Sequence, residues 1–351
     1  MRDLFETPTP RVFTIPPAIS FLDVLAGTLV GTLSHDETPF ALSDAIIVLP
    51  TRRAARGLAQ AFLNCSPQAA TLLPRIRTLG DLDPDDAGLG EFGDDLDQIP
   101  AINPLARRLI LARLIQARGL ETDWSSDPVS ALLAADALAD LLDSAAMMAS
   151  GADMFDWSKL STMVSEHELA KHWEQSTTFL SIVTEAWPAY LASVNKVDPG
   201  VQQRRNIEAM VDKWRAAPPE QTIVLAGSTG SMPVTRKLMH LIARLPKGMV
   251  VLPGLDTHIS SDAWLAARHD DQHPQRALSE AMEAIGIERH EVQVLPGVVE
   301  PFELAQRRLV INEALTPQAS TADWPSRIEE LGQENIIAGL EGLTLIEAAS
   351  E

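Results

Sequence analysis

At 351 residues the chain has material for roughly two domains. Its 28 Lys and Arg against 48 Asp and Glu give a net charge of −20, which opposes a diffuse, histone-like attraction to nucleic acid but leaves room for a local basic groove. A single cysteine, Cys65, excludes a disulfide framework, a zinc site built on two or more thiolates and a four-cysteine iron–sulfur cluster within this chain.

Along the chain, Arg11–Ile15 (RVFTI) is a short β-prone run and Ala45–Pro50 (AIIVLP) a wholly apolar one, as a strand buried on both faces requires. Each precedes a helical pattern, over roughly Phe21–Leu33 and Thr51–Leu63, so the first block reads βαβα and predicts a parallel sheet. Asp81–Asp97 then carries eight acidic residues, no basic ones and three glycines, the composition of a solvated crossing. From Asn103 to Arg215 the pattern is helical. Asn103-Pro104, Asp127-Pro128 and Asp198-Pro199 each place a capping side chain before proline at the first helical position, and Ser165-x-x-Glu168 is a capping box, so four helices are expected. In the second, Leu132, Leu133, Leu138, Leu141 and Leu142 are assigned to one buried face and Gly151 to the stop. In the third, Trp173, Leu180, Val183 and Trp187 read as bundle core, with Pro188 kinking or ending the helix. After Pro218-Pro219, Thr222–Ala226 and Met249–Leu252 are buried strands flanking an amphipathic helix, Val234–Leu245. The expected architecture is one parallel α/β sheet, its halves at 1–100 and 218–300, interrupted by a helical insertion at 101–217. Residues 301–351 follow as a helical connector, and Gly342–Glu347 (GLTLIE) is expected to be the first strand of a further domain that is cut short.

Most catalytic patterns fail on spacing. In His167-Glu168-Leu169-Ala170-Lys171-His172 the histidines are five apart, about 140° around a helix, and cannot share a metal. His269-Asp270-Asp271-Gln272-His273 precedes Pro274 in an irregular stretch and reads as a solvated loop. There is no G-x-S-x-G elbow, and Cys65 has no local base. Gly227-Ser228-Thr229-Gly230-Ser231 lies between a buried strand and a helix, where open α/β sheets bind ligands; it is a candidate anion nest, although it lacks the lysine of a phosphate loop. The candidate nucleic-acid contacts are Thr51, Arg52, Arg53 and Arg56, which open the second helix, together with Arg75 and Arg77. Arg107, Arg108, Arg113 and Arg118 read as solvated or acid-paired.

Taken in order, RVFTIPPAISFLDVLA, IIVLPTRRAARGLAQAFL, LLPRIRTLGDLD, HWEQSTTFLSIVTEAWP, TIVLAGSTGSMP and MVVLPGLD resemble the N-terminal, helicase-like region of the AddB family over essentially the whole chain. AddB pairs with AddA in a bacterial helicase–nuclease, and its N-terminal part is similar to superfamily-1 helicases of the UvrD kind. The resemblance implies a P-loop-NTPase-like sheet whose nucleotide site has decayed. Where active helicases carry the phosphate loop and its lysine, this chain has Pro16, Pro17 and Ser20; where they carry Asp-Glu for magnesium, it has Ala226 and Gly227; near their γ-phosphate-sensing glutamine stands His258. Losing lysine and carboxylates removes phosphate neutralisation and metal coordination together, so ATPase activity is expected to be absent. Thr51-Arg52-Arg53 resembles a motif that touches single-stranded DNA in active helicases, and Leu73–Leu79 the next such segment.

The resemblance further implies DNA and an AddA-type subunit as partners, a role in double-strand-break repair, and no cofactor in this chain, with the iron–sulfur cluster and magnesium confined to a C-terminal nuclease part. In the family the whole protein scans for a recombination hotspot. Two other classes fit the residues: an independent α/β enzyme holding a phosphorylated small molecule at Gly227–Ser231, and a purely structural interaction module. No apolar run reaches about 18 residues and the first ten residues lack a signal-peptide pattern, so a cytoplasmic protein without a membrane contact is expected.

Overall fold

The structure, a computed structural model, describes residues 4–34, 40–65, 72–81, 99–118, 127–149, 181–316, 324–344 and 346–347. The chain divides into two compact units, one comprising Met1–Asp81, Trp214–Ser231 and Thr235–Glu351, the other Leu82–Lys213 with Met232–Val234.

The first unit is built on a six-stranded, wholly parallel sheet: β1 (Val12–Ile15), β2 (Ile46–Leu49), β3 (Arg75–Thr78), β4 (Ile223–Ala226), β5 (Gly248–Pro253) and β6 (Gln293–Val294), in the order β3-β2-β4-β5-β1-β6. This is the α/β fold the sequence predicts, and it is consistent with a P-loop-like domain. Strands β1, β2 and β4 are buried at every position, which is why they read as unbroken apolar runs. The one polar residue among them, Thr14, donates its hydroxyl to Leu252 O (3.2 Å) and accepts from Leu255 N (3.1 Å). Helices α1 (Phe21–Leu33) and α3 (Arg52–Cys65) cover one face, where Leu25, Leu29, Leu58 and Phe62 pack with Phe13, Ile15, Ile47, Leu49, Val224 and Met249. A four-residue α2 (Ala41–Asp44) leads into β2.

In the second unit α4 (Pro104–Arg118) packs on α5 (Pro128–Met148), followed by a π-turn (Ile182–Ala186), α6 (Trp187–Ser193) and α7 (Pro199–Ala216). The core includes Leu111, Ile115, Ala135, Leu138, Val183 and Trp187. Two expected caps form: Asn103 Oδ1 accepts from Leu105 N (3.0 Å) and Asp127 Oδ2 from Ser130 N (2.9 Å). Asp198 differs. Its carboxylate is drawn into a buried knot in which Oδ1 accepts from Arg107 Nη2 (2.5 Å) and Oδ2 from Trp187 Nε1 (2.6 Å), while Arg107 also holds Asp143 (2.9 and 3.0 Å) and the Ala139 carbonyl (3.0 Å). Burial pushes the Asp198 carboxyl above the usual range, with the Arg107 charge and the Trp187 hydrogen bond opposing the shift.

Two leucines assigned to the core face of α5 lie outside it: Leu133 is 63% and Leu141 44% exposed, Leu133 standing about 140° from Leu138 around the helix. Pro188 does not end its segment: the chain widens into the π-turn just before it, with Trp187 N donating to Ile182 O, and continues as α6. The capping box at Ser165, the metal-like spacing at His167–His172, Trp173, Leu180, Gly151 and most of the acidic stretch lie outside the described residues.

The first unit continues with α8 (Pro233–Ile242), α9 (Ser261–His269), α10 (Arg276–Ile285), α11 (Phe302–Ala314), α12 (Trp324–Leu331) and α13 (Gln333–Leu340). At the stretch Gly342–Glu347, Glu341 and Gly342 make a turn, Gly342 with φ +73°, and Leu343, Thr344, Ile346 and Glu347 are not in a strand, while Leu345 lies outside the described residues. At the His269–His273 stretch, Asp270 Oδ1 accepts from Gln272 N (3.0 Å) and His273 Nδ1 from Gln275 N (3.2 Å), so both side chains shape the turn between α9 and α10. Among the described residues no helix is long and apolar enough to cross a membrane.

Candidate functional site

Because every strand is parallel, the loops after β1, β2, β4 and β5 all leave the sheet at one edge, where α/β folds place ligands. Pro16, Pro17 and Ser20 form the first of these loops. The prolines carry no N–H, Ile19 N is turned back to Pro16 O (3.1 Å), and the Ser20 hydroxyl donates to Asp23 Oδ2 (2.5 Å). Asp23 places a negative charge in the first turn of α1, where a phosphate-binding fold needs an unopposed positive helix end. Nothing in the spacing of the sequence had marked Asp23; its signal was simply an acid three residues after the capping serine.

The facing loops fill the space that remains. Gly254, at φ +61°, approaches Pro17 so closely that a Cβ on it would lie 3.3 Å from the Pro17 Cβ, so position 254 needs glycine for both backbone and room. Likewise a Cβ on Gly227 would lie 3.4 Å from the Phe21 ring. Ala226 ends β4 without a carboxylate, and Gly227 N donates to Val251 O (2.9 Å). The described residues of these loops include no lysine, and their acids are engaged elsewhere, Asp23 by the Ser20 hydroxyl and Asp256 by the His258 and Ile259 amides. Among the described residues, no group of three or more His, Cys, Asp or Glu could hold a metal.

The loop after β5 is tied down independently. Asp256 is buried; its Oδ1 accepts from His258 N (2.8 Å) and Ile259 N (3.0 Å), and its own N–H donates to Gln275 Oε1 (3.0 Å). His258 is exposed, and its Nδ1 accepts from Arg308 Nη1 (2.8 Å), which leaves the ring proton on Nε2. Arg308 is itself buried and held in a two-point pair by Glu300 (2.9 and 3.0 Å). Arg289 donates to Ile259 O (2.7 Å) and lies 5.1 Å over the Trp264 ring; burial pulls its pKa down, and the Asp256 charge opposes this.

The candidate anion nest is closed on itself. Gly230 N donates to Ser228 Oγ (3.2 Å), and the Gly230 and Ser231 carbonyls accept from Arg236 (3.1 and 3.5 Å), which Glu280 also holds (2.7 Å). Thr229 sits half-buried between them. Gly230 has φ +69°, and a Cβ there would come within 2.7 Å of Ala281 on α10, so this glycine serves packing and backbone geometry. Two of the loop's carbonyls thus face the Arg236 guanidinium, and the Gly230 amide is taken by Ser228.

At the same sheet edge the start of α3 is open. Thr51 Oγ1 accepts from Ala54 N (3.1 Å), capping the helix, and Thr51, Arg52, Arg53 and Arg56 are all exposed. The first turn has no acid, so the arginine charges add to the positive end of the helix dipole. Arg75 and Arg77 do not join this group. In the register Ile46 pairs with Arg75 and Val48 with Arg77, whereas Ile47 and Leu49, beside Ile76 and Thr78, face the α1 and α3 side. The pleat thus sends Arg75 and Arg77 to the face opposite α3, and Arg75 stands about 10 Å from the strand end where Thr78 lies. Arg107 and Arg108 lie in the helical unit and pair with acids, Arg108 with Asp136 at 2.7 Å. No protein-family model and no curated protein matches the chain.

Proposed function

We propose that this chain is a non-catalytic, helicase-like module, the N-terminal region of an AddB-type subunit, that holds single-stranded DNA at the start of α3 and docks on an AddA-type helicase–nuclease partner in double-strand-break repair. One contrast carries this. At one sheet edge Pro17 packs closely on Gly254 and Asp23 opposes the start of α1, while the Thr51-capped first turn of α3 carries the exposed Arg52, Arg53 and, one turn on, Arg56, with no acid in that turn. A scaffold that kept its phosphate-facing helix end and lost its phosphate-hydrolysing groups suits strand holding without turnover. Localisation in the cytoplasm belongs to the same proposal.

Fluorescence anisotropy with a labelled oligo-dT at low salt tests it, using wild type and Arg52→Glu/Arg53→Glu. Glutamates at the first two helical positions suit the dipole, so the variant keeps a stable helix, and a loss of binding reports the reversed charge at this helix end. Wild type is expected to bind, the variant at least about tenfold more weakly, with no magnesium-dependent ATP hydrolysis by either. Equal binding by the two proteins, or none by wild type, overturns the strand-holding role; ATP turnover overturns the inactive site.

A further inference from the structure

The helical unit holds a cavity of about 720 Å³ between α5 on one side and the π-turn, α6 and the start of α7 on the other. That falls within the roughly 300–1,000 Å³ of small-molecule clefts. It exists because α5 presents small side chains, Ala145, Ala146 and Ala149, toward Val183, Trp187 and Leu191, so neither wall fills the gap. The cleft opens to solvent at its mouth, and most of its lining is apolar.

One end of the cavity is charged. Lys196 and Arg205 line it, beside Arg204, which is paired with Glu208 (3.1 Å), and Asp198, whose oxygens are engaged by Arg107 and Trp187. In a chain of net charge −20 a cavity mouth with an excess of cations is unusual. One backbone irregularity stands at the same place: the π-turn Ile182–Ala186 puts Val183 and Thr184 into the wall, and π-turns are frequent at functional sites. Asn195, at φ +49°, ends α6 in a Schellman cap, Asn195 N donating to Ala192 O (3.2 Å) and Lys196 N to Leu191 O (3.0 Å), which fixes the Lys196 backbone at the mouth. The buried Arg107–Asp143–Asp198 knot supplies rigidity beneath the charged end.

We propose that this cavity binds a small amphipathic acid, its apolar body between the α5 alanines and α6 and its anionic group at Lys196 and Arg205. The ligand is a free small molecule, and the site is independent of the DNA surface on α3.

Calorimetry on the full chain tests this with octanoate, with 1-octanol as the uncharged probe of equal length, and with anionic phosphatidylglycerol vesicles. Octanoate is expected to bind one to one, octanol at least about tenfold more weakly. Arg205→Glu and Ala192→Trp change exposed positions at the cavity; the first is expected to weaken octanoate at least about tenfold and the second, by placing an indole in the mouth, to abolish binding, both with an unchanged circular dichroism spectrum. The proposal is overturned by equal binding of octanol and octanoate, by no octanoate binding, by binding to vesicles only, or by variants that bind as wild type does. Displacement of octanoate by oligo-dT overturns it too, since the cavity would then belong to a nucleic-acid path.

Discussion

Replacing Arg107 by methionine removes the cation on which the polar knot of the helical unit turns, while keeping a long, flexible apolar side chain in its place. The loss then falls on charge and hydrogen bonds. Asp143, whose side chain is 40% exposed, can turn its carboxylate to water, and exposed pairs contribute only about 0–1 kcal/mol. Asp198, 7% exposed at the side chain, has no such escape and keeps only the Trp187 indole. Breaking a buried pair by removing one partner costs about 3–5 kcal/mol, a large share of the roughly 5–15 kcal/mol that holds a domain folded. The deficit depends on pH with a definite sign. Asp198 already titrates above its usual range because burial disfavours its charge, and loss of Arg107 raises it further. An acid whose folded pKa exceeds the unfolded one binds more protons in the native state, so stability falls as pH rises from about 4 through the folded pKa. Urea denaturation followed by far-UV circular dichroism is therefore expected to show the full deficit at neutral pH and a smaller one near pH 4.5, roughly half a unit above the unfolded carboxyl. Adding Asp198→Asn to the variant restores most of the stability, since a neutral amide oxygen still accepts from Trp187 Nε1. A neutral-pH deficit under about 1 kcal/mol, or one that grows toward acid, would refute the account.

Two further outcomes follow from single positions. Gly254→Val forces a β-branched side chain into φ +61° against Pro17, and a lowered urea midpoint corresponding to about 1–3 kcal/mol is expected; an unchanged midpoint would show that the loop after β5 does not close on the loop after β1. Asp127 titrates below its usual range because it accepts from Ser130 N and Oγ, so its contribution is present above the unfolded carboxyl pKa of about 4 and lost as pH falls through the folded one. The stability gap between wild type and Asp127→Asn should accordingly shrink in acid, and a gap that stays constant through that range would count against the cap.

How far the sequence revealed the fold follows from what each element is buried against. β1, β2, β4 and β5 were legible because a strand covered on both faces must be apolar throughout, and helices after a cap and proline were legible at Asn103 and Asp127 because the cap is a local bond. β3 was not, because RIRT at a sheet edge alternates and carries charge; β6 has two residues and is defined only by its pairing with Phe13 and Thr14. At the site, the missing lysine and carboxylates could be read directly, but the filling of the crevice could not, since Pro17 meets Gly254 across 237 positions of chain by tertiary packing alone. The separation of Arg75 and Arg77 from the α3 arginines likewise depends on register, and a pattern of basic residues carries no register.

The net charge bears on approach, and local geometry on contact. At physiological ionic strength the screening length is about 8 Å, so acids farther than that from the start of α3 scarcely alter the potential a bound phosphate feels there. The first turn of α3 contributes Arg52 and Arg53, with Arg56 one turn on, has no acid of its own, and adds a helix end equivalent to about +0.5 charge. At the neighbouring end of α1 the sign is reversed, because Asp23 stands in the first turn. Two parallel helix ends on one sheet edge thus differ in the charge they present: α1 carries an acid over a loop that proline has closed, and α3 carries arginines over a loop left open. The proposed strand-holding role follows these signs: an anionic chain crossing this edge would be repelled at Asp23 and attracted at the α3 arginines, and the −20 total would slow its arrival without setting where it rests.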